Sequence, residues 1–226
     1  IATGMSGYFA TKKFDAFLTG KSAHGGGKPE DGKNALMAAA SAVLNLYAIP
    51  RHSKGATRVN VGKLIAGTGR NIICDRAHMV IETRGVNDEV SDYMYEKALQ
   101  VLKASAMMYD CTLEIKNMGS AGSAESDKKL SNRVEKIAKE AGGFSFVSSA
   151  AEGGSEDFTY MMKRVQEKGG LATNIGVGAN LSGVTGKEVI LRGHTPEFDI
   201  DEASLKSTVK LLSLLAFDIF TDTKLL

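Results

Sequence analysis

Apolar and polar positions alternate along this chain in two distinct regimes. From Lys12 to Thr19, Phe14, Ala16 and Leu18 alternate with Lys13, Asp15 and Phe17, the period-two pattern of a strand with one dry face. Leu36, Ala40, Val43, Leu44 and Tyr47 then recur at helical spacing. Pro50 stops that helix, because proline disfavours helical geometry in the residue before it. Two more strands, Arg58 to Ala66 and Ala77 to Arg84, flank the turn-forming Gly67-Thr68-Gly69-Arg70-Asn71. Val90, Met94, Ala98, Val101 and Met108 outline a second amphipathic helix, and Cys111, Leu113 and Ile115 alternate in a closing strand. Strand, helix, strand, strand, helix, strand is the split βαβ order, which lays two helices on one face of a four-stranded antiparallel sheet. These elements predict a domain over 12–118, entered through a small, glycine-containing connector at 1–11.

Residues 119–226 follow another pattern. Gly119 to Asp127 reads as a linker, and a helix from Lys128 to Ala141 is stopped by Gly142-Gly143. Phe144 to Val147 predicts a short strand, Asp157 to about Lys168 a helix, and Leu171 to Val177 another strand. A last helix is capped by Asp201 and carries Leu205, Val209, Leu212, Ala216 and Ile219 as its expected buried stripe. The whole predicts an α/β protein: an α+β, ferredoxin-like βαββαβ domain followed by part of an α/β layer structure.

Composition narrows the functions. With 226 residues, a net charge of +2 and no cluster of Lys and Arg, nothing speaks for nucleic acid. No apolar run reaches bilayer length, so no membrane partner is expected. Cys74 and Cys111 are too few and too far apart for a disulfide framework, which makes a reducing cytoplasm the default location. The chain opens at Ile1 without an initiator Met or a signal-like start, and it reads as a piece of a longer protein.

The chemistry centres on residues 20–34, where His24 stands on a strand-to-helix turn before Gly25-Gly26-Gly27. Glycines there let a ligand approach the main chain closely. His194, behind Gly193 and ahead of the last helix, is placed where a scaffold displays functional groups. His52 and His78 have no neighbours that a mechanism would need and read as structural. Glu152, Glu156 and Asp157 have two readings: the acidic first turn of a helix, or a carboxylate partner for a metal-bound histidine. Arg84 also has two: an ion pair with Glu82, or a fork for a substrate carboxylate.

The pieces Ser22-Ala23-His24, Gly69-Arg70-Asn71-Ile72-Ile73, Glu82-Thr83-Arg84, Gly154-Ser155-Glu156-Asp157-Phe158 and Phe198-Asp199-Ile200-Asp201-Glu202 resemble, in order and spacing, the M20 family of metal-dependent amidohydrolases and peptidases. Lys28-Pro29-Glu30-Asp31-Gly32, His52-Ser53 and Arg58-Val59-Asn60-Val61-Gly62 are similar to its branch acting on aminobenzoyl-glutamate. The resemblance implies a lid and dimerisation domain over 12–118 and the C-terminal part of a catalytic domain over 119–226. It also implies two divalent metals, zinc or manganese, with His194 a ligand, and a homodimer through the lid, with a second subunit left open. His24 and Asn71 would reach into the partner's active site and stabilise the oxyanion, and Arg84 would grip the substrate carboxylate. The substrate class implied is a small acidic N-acyl amino acid, in the first place p-aminobenzoyl-glutamate. Cys74 stands where the family often has Pro. The remaining metal ligands and the general-base Glu belong to an N-terminal segment not in this sequence, so this chain alone is expected to hold no metal pair and to be inactive. The competing expectation is a non-catalytic dimerisation or ligand-binding module.

Overall fold

A computed structural model describes residues 1–146, 154–179, 181 and 196–221. The chain divides into two compact units, one of Gly7–Ala124 with Glu152–Tyr160, the other of Ile1–Ser6, Glu125–Ala151 and Met161–Leu226.

The first unit is built on four ten-residue strands, β2 (Ala10–Thr19), β3 (Thr57–Ala66), β4 (Arg76–Gly85) and β5 (Thr112–Ala121). They lie in the order β3-β4-β2-β5 with every neighbour antiparallel, as the split βαβ sequence requires. Helices α1 (Ala35–Tyr47) and α2 (Asp88–Met108) cover one face. Phe14, Ala16 and Leu18 of β2 and Ala77, Met79 and Ile81 of β4 point into that core. Asn34 and Asn87 cap the helices, their side-chain oxygens accepting from the backbone N–H of Met37 and Val90.

The face that α1 buries differs from the expected one. Ala35, Ala38, Ala39, Ala42 and Leu46 are buried, whereas Leu36, Leu44 and Tyr47 are exposed. Small side chains let the helix lie close to its neighbours, and close packing outweighs the larger residues' hydrophobicity. On α2 the stripe runs through Val90, Met94, Ala98, Leu102 and Ala106, leaving Met108 exposed. Gly119–Ala121, expected in a linker, instead complete β5 opposite Thr11, Lys12 and Lys13, beyond a bulge at Lys13/Phe14.

In the second unit, the helix expected over Lys128–Ala141 is observed as α3 with those bounds, ending at Gly142 with φ +67°. Along the chain, helix α4 spans Thr159–Glu167. The predicted strand at 171–177 shrinks to β6 (Ile175–Gly176), which pairs with β1 (Ala2–Thr3) in the segment expected to be a connector. Phe144 to Phe146 form no strand; Phe144 packs instead on a small core of Val134, Ile137, Ala138, Leu211 and Leu215, and Val147 lies outside the described residues. Asp201 does cap the last helix, α5 (Ala203–Thr221), its side chain accepting from Ala203 N–H at 3.0 Å. The buried stripe of α5 is a correction: Leu211 and Leu215 are inside, while Leu205, Val209 and Leu212 are more than half exposed. Apolar residues occupy most sides of this helix, so periodicity alone does not select the side that meets α3.

Candidate functional site

His24 and Asn71 come together at one end of the four-stranded sheet. Past β2, Gly20 donates to the Asp75 carbonyl at 2.8 Å, and Lys21 and Lys33 exchange both backbone bonds. A Cβ on Gly20 would stand 2.0 Å from the Lys33 carbonyl oxygen, so only glycine permits this approach. The next residues form a short antiparallel pairing with the β3–β4 connection. Ile73 N–H donates to Ala23, Gly25 N–H donates to Asn71 at 2.9 Å, and His24 faces Ile72 in the ladder.

The second and third of the three glycines after His24 then fold back onto its ring. Gly26 and Gly27 donate their N–H groups to Nδ1 at 3.1 and 2.9 Å. A nitrogen that accepts two such bonds carries no proton, so neutral His24 has its N–H on Nε2. The ring is exposed, and the Asn71 side chain makes no hydrogen bond to the described residues. The result is an exposed imidazole held at Nδ1, on a turn whose Gly25 bonds the Asn71 backbone carbonyl.

Arg84 lies at the other end. Eight residues of β4 separate Arg76, next to the His24 turn, from Arg84, which is about 26 Å at roughly 3.3 Å per residue. One nitrogen of its guanidinium, Nη2, donates to both oxygens of Glu82 at 3.0 and 3.1 Å, and Thr11 donates to the same carboxylate at 3.0 Å. The ion-pair reading of Arg84 is therefore realised, and Glu82 sets the orientation of the fork. In register, Arg84 has Thr11 on one side and Arg58 on the other. In the sequence Arg58 opens a strand and a motif but carries no site role; its neighbour across the sheet is visible only in the register of β3 and β4.

His194 and Glu152 lie outside the described residues. Among the described residues no group of three or more His, Cys, Asp or Glu side chains could hold a metal ion. The backbone carbonyls of Glu156 and Asp157 accept from Thr159 and Tyr160 at the start of α4. Burial, with a smaller contribution from the Glu156 charge, raises the pKa of the Tyr8 phenol above its usual value. His78 bonds Asp15 at 2.7 Å and stacks on Phe17, and His52 packs edge-on against Tyr93, so both have local structural partners.

Residues 8–108 match the peptidase dimerisation domain of M20 proteins. The chain is 42% identical over 220 residues to indole-3-acetyl-aspartic acid hydrolase of Enterobacter agglomerans, covering 96% of this chain and 49% of that protein. It is 38% identical to one subunit of the p-aminobenzoyl-glutamate hydrolase of Escherichia coli, with the same coverage. It thus spans about half the length of the curated relatives it matches. The crystal structure of an aminobenzoyl-glutamate utilization protein from Klebsiella pneumoniae superposes with a TM-score of 0.71 and 43% identity, over 76% of this chain and 44% of that one. A Bacillus subtilis structure described as a dinuclear metal binding peptidase of the M20 family shares the fold at 20% identity, with a TM-score of 0.65. Taken with the βαββαβ sheet, these matches identify residues 8–108 as a dimerisation domain of the M20 family.

Proposed function

We propose that the whole protein is a metal-dependent amidohydrolase that cleaves the amide of an N-acylated acidic amino acid. The leading candidate is p-aminobenzoyl-glutamate, giving p-aminobenzoate and glutamate. The names of the two relatives support an aspartate or glutamate product. The observation that carries the reading is the His24 imidazole, exposed and with Nδ1 tied down by Gly26 and Gly27, on the turn that also holds the Asn71 backbone.

In hydrolysis water adds to the carbonyl carbon, the carbonyl oxygen becomes an oxyanion, and the C–N bond then breaks as nitrogen takes up a proton. Donors preorganised at the oxyanion strengthen as its charge develops, which is where they accelerate the reaction. Nε2–H of His24 and the Asn71 amide fill that role. Arg84, oriented by Glu82, would hold the substrate's free carboxylate. Two divalent ions, zinc or manganese, would supply and activate the water. His194 is the one ligand assigned to them from this sequence, and the described residues do not form that centre by themselves.

A small substrate cannot span the length of β4, so one copy's His24 and Asn71 cannot serve the substrate held by the same copy's Arg84. The proposal is therefore a homodimer through the dimerisation domain, in which each active site combines Arg84 of one protomer with His24 and Asn71 of the other. Among the described residues β3 and β5 form the edges of the sheet, and an edge offers a means of joining the copies. No described helix is long and apolar enough to cross a membrane, and the two free cysteines suit a reducing cytoplasm. The Escherichia coli relative is named as one subunit of its hydrolase, which leaves room for a second, different chain.

Mixed dimers test the reading. Whole protein carrying His24→Ala and whole protein carrying Arg84→Ala should each be nearly inactive on p-aminobenzoyl-glutamate. Co-expressed, they should regain activity, because one site per mixed dimer then receives both groups. Mixed dimers that form and stay inactive would overturn the shared site. A wild-type protein that dimerises without cleaving any N-acyl amino acid would favour a non-catalytic module.

A further inference from the structure

On the open face of the sheet, Arg58 of β3 stands directly opposite Arg84 of β4. Side chains so placed have Cβ atoms roughly 4.5–5.5 Å apart, and like charges there destabilise a sheet. The next row of the same face holds Asn60, Glu82 and Lys13. Glu82 is engaged by Arg84 and Thr11. Arg58 meets no carboxylate among the described residues. Its Nη1 donates only to the adjacent Thr57 carbonyl, and its guanidinium lies 6.0 Å from the Phe9 ring. Among the described residues Arg58, Arg84 and Lys13 therefore gather around one acid, Glu82, a placement that costs stability and favours an incoming anion.

We propose that Arg58 reads the side-chain carboxylate of the substrate, while Arg84 takes its main-chain carboxylate. The inference rests on the amidohydrolase reading above and adds the element that selects an aspartate or glutamate over a neutral amino acid. The two carboxylates of such an amino acid are separated by only a few bonds, matching two guanidinium groups in adjacent register. A guanidinium offers a carboxylate two parallel hydrogen bonds, whereas a carboxamide returns one acceptor and sets its own donors against the cation. Phe9 supports the Arg58 guanidinium from one side through a cation–π contact.

The test compares p-aminobenzoyl-glutamate with p-aminobenzoyl-glutamine, which keeps the main-chain carboxylate and loses the other. In the whole, metal-loaded protein, Arg58→Gln should lower the preference for the glutamate substrate by roughly 10- to 100-fold, through KM rather than kcat. Arg58→Lys should restore part of that preference, since it keeps the charge without the fork. The melting temperature of Arg58→Gln should equal or exceed that of wild type, because a like-charge neighbour is gone. Equal losses on both substrates, a change confined to kcat, or no change would overturn the role of Arg58. A wild type that cleaves both substrates equally well would also overturn it and leave the amidohydrolase reading intact. A wild type that cleaves neither would overturn both.

Discussion

Gly27 donates its backbone N–H to Nδ1 of His24 at 2.9 Å and, with the parallel bond from Gly26, decides which ring nitrogen carries the proton. The proton-bearing Nε2 is directed away from the chain, as an oxyanion donor must be. His24→Ala should therefore lower kcat of the whole protein by roughly 10²–10³-fold, the usual loss for one oxyanion donor. The melting temperature should hardly move, because the side chain is exposed. Steady-state kinetics beside a thermal melt checks both parts, and a large fall in melting temperature would mark His24 as structural.

Gly85 ends β4 against the first turn of α2. A Cβ there would lie 2.2 Å from the backbone nitrogen of Ser91 and 2.5 Å from the carbonyl carbon of Val90, and backbone cannot swing aside as a side chain can. Gly85→Ala should cost about 3 kcal/mol or more, at or beyond the upper end of overpacking penalties. Gly154→Ala, where a Cβ meets nothing within 4 Å, is the control and should stay near wild type. Denaturant unfolding of the two variants would settle the comparison; equal stability would show that β4 and α2 shift apart easily.

Cys111 carries a thiol whose pKa is raised, first by burial and then by the charges of Asp110 and Cys74, against a lowering contribution from Lys33. The folded state thus holds the thiol proton more tightly than the unfolded chain does. Its contribution to stability is complete below the ordinary thiol pKa of about 8.5 and is lost as pH rises from there through the folded value. Melting temperature should fall with pH on the alkaline side, and Cys111→Ala should flatten that fall. Alkylation of Cys111 at pH 8 should also run slower than that of a free thiol; equal rates would contradict the shift.

The order of elements is legible in this sequence because period-two and period-3.6 patterns are local, as are the glycines that stop α3 and the asparagines that cap α1 and α2. What faces what is not local. On α1 the alanines won the core over Leu36, Leu44 and Tyr47, and on α5 the helix turned Leu211 and Leu215 inward instead of Leu205, Val209 and Leu212. Both outcomes depend on how closely a neighbouring element approaches. The same holds at the site. His24 is recognisable from its glycines, but its tautomer depends on where Gly26 and Gly27 point. Arg84 is recognisable at a strand end, yet its neighbour Arg58 is twenty-six positions earlier in the chain and appears only once β3 and β4 are in register.

Arg84 itself admits a decisive comparison, because its pairing with Glu82 makes a structural role a real competitor. If the fork grips the substrate's main-chain carboxylate, Arg84→Ala should cut kcat/KM for p-aminobenzoyl-glutamate by about 2–4 kcal/mol of transition-state stabilisation, the scale of losing one partner of a charge pair. Arg84→Lys should recover part of it, since an ammonium supplies charge without two parallel bonds. An analogue whose main-chain carboxylate is amidated should lose much less on the same substitution, because the gripped group is already missing. Glu82→Gln separates the two roles further. It removes the negative charge that holds Nη2, so a gripping Arg84 should keep most of its carboxylate preference but bind in a less fixed geometry, with kcat falling more than KM rises. Equal losses for acid and amide, together with a matching drop in melting temperature for Arg84→Ala and Glu82→Gln, would assign the pair to holding β4 and would remove the main reason for expecting an acidic substrate.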